Sequence, residues 1–383
     1  MKMRYSILLV MLPGFFGTHV ACSQDESVYQ RSIQIDTTSE NLHFAAWQFS
    51  FIGEYYKALS SFDKAVGELT KRKSRKVPAD LKPVPAAEYI IKSSRSSQVV
   101  IINEAHHQPL HRVFTESLLE GLYQNGFRYL GLEALAEDSL INTRKYPLQS
   151  DGYYTNEAQF GNMLRKALEI GFTVFGYEAD SSGSVREKGQ AANISKIFKR
   201  DPGAKMLIHC GFSHVLEGAV PVWGKAMAGE IKALTGIDPL TIDQVDLTEH
   251  STAQHESEYY KPDRIGEAAI FTDRKGKPVK LASSGQKTDL QVMHPRSKFI
   301  QGRPAWLLRN SFVPYSLKQL NLDLKYPALV AAYREDEEKD SVPVDQIEII
   351  NTVDKVLILN GGKYRLKITD VEGNVQEIKV TIE

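Results

Sequence analysis

At 383 residues, 42% apolar and 25% charged, the chain has ordinary globular composition, with ample core for one large domain or two smaller ones. Its 47 Lys and Arg balance 47 Asp and Glu, so no net field draws it to nucleic acid, and no nucleic-acid partner is expected. Two cysteines are too few for a disulfide framework.

The first 22 residues stand apart. Lys2 and Arg4 precede an apolar run from Ile7 to Phe16, interrupted by Pro13 and Gly14 and followed by small residues up to Ala21-Cys22. This is the layout of a secretory signal peptide, too short for a comfortable membrane span. His19-Val20-Ala21-Cys22 resembles the lipobox of bacterial lipoproteins, although that motif usually has Leu where His19 stands. The resemblance implies lipidation at Cys22, attachment to the membrane through that lipid, and a place in the cell envelope. With Cys22 lipidated, Cys210 has no partner, and its apolar surroundings make it a small buried hydrophobe.

A polar tether and a helical segment are expected over 23–85. Phe44, Trp47, Phe51, Tyr55 and Leu59 fall at helical spacing. IGEYYKALSSFDKA looks like half a tetratricopeptide repeat without a second copy, so a helical pair packed on the main domain is expected. The basic stretch KRKSRKVPADLKPVP reads as a solvated linker, and a helix follows around Ala86 to Lys92.

From residue 98 strands and helices alternate. QVVII, RYLGL, FTVFGY and AKMLIH read as strands, and LTIDQVDL at 240–247 as a fifth. Helices are predicted at Pro109–Tyr123, Glu157–Ile170 and Val185–Lys199. Such alternation means βαβ units: an α/β fold with a mostly parallel sheet flanked by helices, assigned to 86–256. Residues 257–335 are expected to form a strand-rich extension, with AAIFTDRKGKPV as strand, turn, strand. The acidic loop REDEEKD marks a boundary, and 340–383 forms a small β element ending in a hairpin of Tyr364, Leu366 and Ile368 against Ile378, Val380 and Ile382.

Chemistry collects after the strands. QVVII runs into Asn103-Glu104-Ala105-His106-His107, RYLGL into Glu133, FTVFGY into Glu178 and Asp180, and AKMLIH into Gly211-Phe212-Ser213-His214. The carboxyl edge of a parallel sheet is where such folds bind ligands, so four deliveries to one rim constitute a site hypothesis. An extended backbone cannot point His106 and His107 the same way, so one is expected to face outward. Pro109 starts a helix whose positive end would keep a nearby imidazole neutral, and Glu104 could orient it as a base. Arg186, in the first turn of its helix, could bind a substrate's negative charge, and Glu178, Glu187 and Asn193 are further substrate-binding candidates. His106, His214 and Glu133 could hold a divalent metal, though in no standard spacing. GxSxG, Walker A, GxGxxG and HExxH motifs are all absent.

The blocks NEAHHQPLHRVFTESLLEGLYQNGFRYLGLEAL, GYEAD, REKGQAANI and AKMLIHCGFSHVLE resemble, in this order, the erythromycin-esterase-like superfamily. That group also takes in ChaN-like haem-binding lipoproteins and, more distantly, the TraB/Tiki proteins. The resemblance covers 86–220. Its opening motif is Gly-Glu, then one or two residues, then His; here Asn103 replaces the Gly. Esterase-like spacing selects His107 and ChaN-like spacing His106, while Glu133, Arg186, Glu187, Asn193 and His214 match the later positions. For the esterase branch it implies a histidine that activates water against an ester or lactone, for the ChaN branch haem binding without turnover, and for the Tiki branch a metal-dependent peptidase. The expectations are therefore a hydrolase of a small-molecule or peptide substrate, with no cofactor or a divalent metal; a haem or metal carrier; or an envelope protein with a vestigial site.

Overall fold

The computed structural model describes residues 28–68, 75–136, 139–220, 223–282, 287–309, 311–320, 322, 324–350 and 356–383. The signal peptide, lipobox and Cys22 lie outside these. Among the described residues no helix is long and apolar enough to cross a membrane.

The chain is folded from its first described residues onward, so little of 23–85 is tether. Tyr29 and Ile35 are buried, and Tyr29 Oη donates to the carbonyl of Asn156. The helical pair expected near 40–70 is α1 (Leu42–Phe51) and α2 (Tyr55–Val66). Strand β1 (Lys82–Pro85) and helix α3 (Ala86–Ser93) follow the linker.

The α/β core comprises β2 (Val99–Glu104), α4 (Pro109–Gln124), β3 (Tyr129–Leu132), the short α5 (Ile141–Arg144), α6 (Ala158–Ile170), β4 (Thr173–Gly176), α7 (Gly183–Arg200), β5 (Met206–Gly211), a small hairpin of β6 (Ala219–Val220) and β7 (Gly224–Lys225), α8 (Met227–Thr235), β8 (Leu240–Leu247), β9 (Ala269–Thr272) and β10 (Leu290–Met293). Eight strands form one sheet in the order β1-β9-β10-β8-β2-β5-β3-β4. The run from β10 to β4 is parallel throughout; β9 is antiparallel to β10, and β1 to β9. The fold is α/β, and β2 sits centrally because both its faces are covered. Val100 and Ile102 pack with Leu118, Leu122 and Leu164 of α4 and α6, while Val99 and Ile101 pack with Ile194 and Ile231 of α7 and α8. Strand parity therefore sends Glu104 to the α4/α6 side and Asn103 to the other.

Two boundaries move. In AAIFTDRKGKPV only β9 is a strand, and Pro278 adds a single bridge to Thr272. Past the small pair β11 (Phe299–Ile300) and β12 (Arg303–Pro304), the C-terminal β element begins well before 340. Its β13 (Val313–Ser316) pairs with β16 (Val356–Leu359), and β14 (Ala328–Arg334) lies between β15 (Asp345–Ile349) and β17 (Gly362–Thr369). The acidic loop is thus a connection within this unit, because β14 finds its ladder partners on the far side of it. The last hairpin, β17 with β18 (Val375–Ile382), pairs Leu366 with Ile378 and Tyr364 with Val380. Helix α1 joins the two parts: Phe51 and Ile52 accept backbone-directed bonds from Gln346 and Glu348.

Candidate functional site

Because β2, β3, β4 and β5 run parallel, their carboxyl ends lie on one edge and bring Glu104, Glu133, Glu178 and the turn after Gly211 together. Glu104 is buried and accepts four hydrogen bonds: Arg112 Nε (2.6 Å) and Nη2 (2.8 Å), His209 Nε2 (2.9 Å) and His106 Nδ1 (2.8 Å). Burial alone would raise its pKa, but the Arg112 guanidinium, with His106 and His209, holds the carboxyl well below the usual range. Arg112 reaches on to Glu157 Oε2 (3.1 Å), which also caps α6 by accepting from the backbone of Gln159 and Phe160. Glu104 is thereby fixed in plane, and a carboxylate that accepts from Nδ1 makes Nε2 the bare nitrogen of the neutral His106 ring. That nitrogen faces Gly211: a Cβ added there would lie 2.6 Å from His106 Nε2 and 3.2 Å from Glu133 Oε2.

The second group centres on Arg186. It donates to Glu178 Oε1 (2.9 Å) and Oε2 (2.5 Å), Glu133 Oε1 (2.6 Å) and His214 Nε2 (3.1 Å). Four of its five N–H groups are engaged, so the expected role of binding a substrate anion gives way to bracing the acids of the rim. Glu133 Oε2 accepts from the Gly211 amide (2.6 Å). Against burial, His214, Arg186 and His106 hold Glu133 down to about 2. Glu187 accepts from His214 Nδ1 (2.8 Å) and the Met227 amide (2.7 Å). Burial lowers the His214 pKa, but Glu133 and Glu187 outweigh it and hold the imidazole above its ordinary value. An arginine only donates, so the Arg186–His214 bond exists when Nε2 is bare; a protonated Nε2 faces Glu133 Oε1 at 3.5 Å. Asn193 lies apart, donating to the carbonyls of Tyr177 and Glu178. It secures the end of β4.

His106 and His107 do point apart, but neither faces solvent. His106 lies flat against Tyr154 (ring centroids 4.0 Å, 13°), with Trp47 and Phe212 edge-on. His107 is stacked on Phe62 of α2 at 3.8 Å. Neither of its nitrogens has a partner, and burial first, then the nearby His250, lowers its pKa well below the ordinary value. Around it Asp63 accepts from His250 Nδ1 (2.6 Å) and Ser251 (2.8 and 2.6 Å), clipping α2 to the loop after β8. Glu104 bonds His106, so the geometry serves the shorter of the two spacings.

Phe212 adopts φ +37°, which costs a bulky residue about 1–3 kcal/mol. Asn103 holds that turn: it donates to the Phe212 carbonyl (2.8 Å) and Asp243 (2.9 Å) and accepts from the Gln244 amide (2.8 Å). The residue that stands where the resembling family has Gly is therefore a brace between β2, β8 and the His214 turn.

The residues do not fit a metal or a haem. Among the described residues no group of three His, Cys, Asp or Glu side chains is placed to hold a metal ion. At the rim, both oxygens of Glu104 and of Glu133 are taken, both nitrogens of His214 are bonded, and Arg186 sits where a dication would have to be. His106 Nε2 is uncommitted, but Gly211, Tyr154, Trp47 and Phe212 enclose it too closely for a flat macrocycle.

Sequence reasoning missed Arg112, His209, Tyr154 and the roof residues Trp47 and Phe62. Arg112 stands off the Leu110, Phe114, Leu118 and Leu122 stripe of α4 and reads in the sequence as an ordinary polar-face charge. His209 carried a signal, an imidazole inside β5 at the register of Ile102, on the same face as Glu104. Tyr154 had none, because it arrives on an irregular turn between α5 and α6.

No family model and no curated protein matches the chain. Solved structures similar to it include the type III effector HopBA1, at 11% identity over 57% of this chain and 100% of that one, with a TM-score of 0.35. RRSP, a MARTX toxin effector domain from Vibrio vulnificus, is 14% identical over 52% of this chain and 41% of its own, with a TM-score of 0.30. The C-terminal region of Pasteurella multocida toxin, described with a thiol-protease-like catalytic triad, is 11% identical over 89% of this chain and 53% of that one, at 0.31. Likenesses this slight leave function to be read from the site itself.

Proposed function

We propose that the chain is a cell-envelope hydrolase of ester, lactone or amide bonds, of the erythromycin-esterase-like kind, lipid-anchored through Cys22. The observation that carries this reading is the Glu104–His106 pair: a carboxylate fixed by Arg112 and His209 accepts from Nδ1, and Nε2 is turned toward Glu133 across Gly211. His106 Nε2 takes a proton from water as the water oxygen bonds to the carbonyl carbon. Collapse of the tetrahedral adduct breaks the bond to the leaving group, which receives a proton from His214, itself recharged through Glu133. Arg186 and Glu187 hold those two groups in register. The substrate is a small molecule or peptide that meets the aromatic wall of Trp47 and Tyr154.

The test is a panel of p-nitrophenyl esters, lactones and peptide amides given to the full chain and to His106→Ala and His107→Ala. His106→Ala is expected to lose about 100-fold or more in kcat, the usual contribution of a positioned base. His107→Ala should keep most of its turnover. Loss confined to His107→Ala, or turnover indifferent to His106, overturns the assignment.

A further inference from the structure

A tetrahedral adduct needs a donor for its oxyanion, and the rim's obvious candidates are already engaged. Arg186 spends four N–H groups on Glu178, Glu133 and His214, and the Gly211 amide is given to Glu133. Tyr154 is different. Its ring lies flat on His106 at 4.0 Å and is held by the edge of Trp47 at 5.2 Å and 86°. The charged groups acting on its hydroxyl are Glu133, Glu104 and Arg186, which are the groups of the site. Tyr29, Tyr177 and Tyr364 each give their hydroxyl hydrogen to an acceptor, at 3.1, 2.9 and 2.6 Å. Among the described residues nothing accepts the hydrogen of Tyr154, which makes no hydrogen bond there.

We propose that Tyr154 is a catalytic residue whose phenol O–H donates to the oxyanion formed when water, deprotonated by His106, adds to the substrate carbonyl. The inference rests on the hydrolytic reading above and adds the group that stabilises its intermediate. As the water oxygen bonds to carbon, the carbonyl π pair moves onto oxygen and the Tyr154 hydrogen bond shortens. When that pair returns, the bond to the leaving group breaks and the phenol keeps its proton. Burial, with Glu133 beside it, favours the protonated phenol, so the donor persists through alkaline conditions. The phenol comes from outside the strand ends, and its orientation depends on α1 through Trp47. The helical pair is therefore part of the active site and not an appendage.

The experiment compares the full chain with Tyr154→Phe and His106→Ala on p-nitrophenyl acetate across pH, with near-ultraviolet circular dichroism and urea midpoints as folding controls. Tyr154→Phe keeps the ring stack and removes one hydroxyl. Its kcat should fall roughly 100-fold or more, as for loss of one oxyanion donor, while KM stays in place. A Tyr154→Phe turnover within about threefold of the parent, beside an inactive His106→Ala, overturns this proposal and leaves the hydrolytic reading standing. A parent chain silent on the ester removes both.

Discussion

His107 is the residue that esterase-like spacing selects, and the structure makes a quantitative statement about it. Its two ring nitrogens are buried without partners, and its ring lies on Phe62. An unsatisfied buried polar group costs about 1–3 kcal/mol, while an aromatic stack returns about 0.5–1.5 kcal/mol. His107→Leu should therefore be neutral or stabilising by about 1–2 kcal/mol at pH 7.5. Acidity sharpens the test. A histidine whose folded pKa lies below its unfolded value binds fewer protons when folded, so stability falls as pH drops below about 6.5. At pH 5.5 the unfolded state gains about 1.4 kcal/mol from protonating this one ring, a gain the leucine variant does not have. Urea unfolding followed by tryptophan fluorescence at both pH values, with ester turnover alongside, measures the difference. The stabilisation conferred by His107→Leu should grow by about 1.4 kcal/mol between pH 7.5 and 5.5 with turnover retained. A difference that is flat with pH, or a variant that is stable and inactive, would refute the reasoning and return His107 to the catalytic group.

Removing Arg112 leaves Glu104 and Glu157 as buried, uncompensated carboxylates, so Arg112→Met should lose about 3–5 kcal/mol in the same unfolding assay. Glu133, at about 2 when folded, contributes stabilisation that is complete above the ordinary carboxylate range and lost as pH falls toward 2. Glu133→Gln should flatten the acid limb of the stability curve by about 3 kcal/mol. His214 has the opposite sign: its raised folded pKa stabilises below about pH 6.5 and the contribution fades as pH rises through the folded value, so His214→Asn should remove that alkaline decline. Gly211→Ala would put a methyl 2.6 Å from His106 Nε2, and kcat should collapse while the unfolding free energy changes by only about 1–2 kcal/mol. Asp63→Ala breaks the clip to His250 and Ser251, and limited proteolysis should then cut between α2 and the core faster than in the parent.

The strands and helices of the core were legible because each buried strand is a continuous apolar run and each helix shows one apolar face. Predicted and observed ends of α4, α6 and α7 differ by no more than two residues at any end. The convergence of Glu104, Glu133, Glu178 and His214 was legible for the same reason, since parallel strands deliver their carboxyl ends to one edge. What the sequence concealed was the pairing of those groups. Arg186 looks like a free cation in a first helical turn, but whether a guanidinium greets a substrate or neutralises its neighbours depends on which acids lie across the rim. The C-terminal unit was misplaced because an acidic loop marks a turn as readily as a boundary. β14 pairs across that loop with β15 and β17, a long-range fact that composition does not encode.

The choice between adjacent imidazoles follows from one geometric constraint. The chain leaves β2 at Glu104 and turns at once, the Gln108 amide donating to the Ala105 carbonyl, and this turn delivers the two adjacent histidines to different environments. One environment holds a carboxylate already pinned by Arg112 and His209; the other holds Phe62 and the flank of the Asp63–His250 clip. An imidazole beside a fixed carboxylate gains a defined tautomer and an open nitrogen, while one under a phenyl ring gains neither. The separating wall is built by Phe212, whose ring packs on both His106 and Phe62, and whose positive φ is held by Asn103. Asn103 looked like a defect in the motif, yet it holds the turn that keeps His106 and His107 apart. Replacing Asn103 with the glycine of the resembling motif would remove the bonds to Phe212, Asp243 and Gln244, and with them the brace on the turn that separates the two imidazoles.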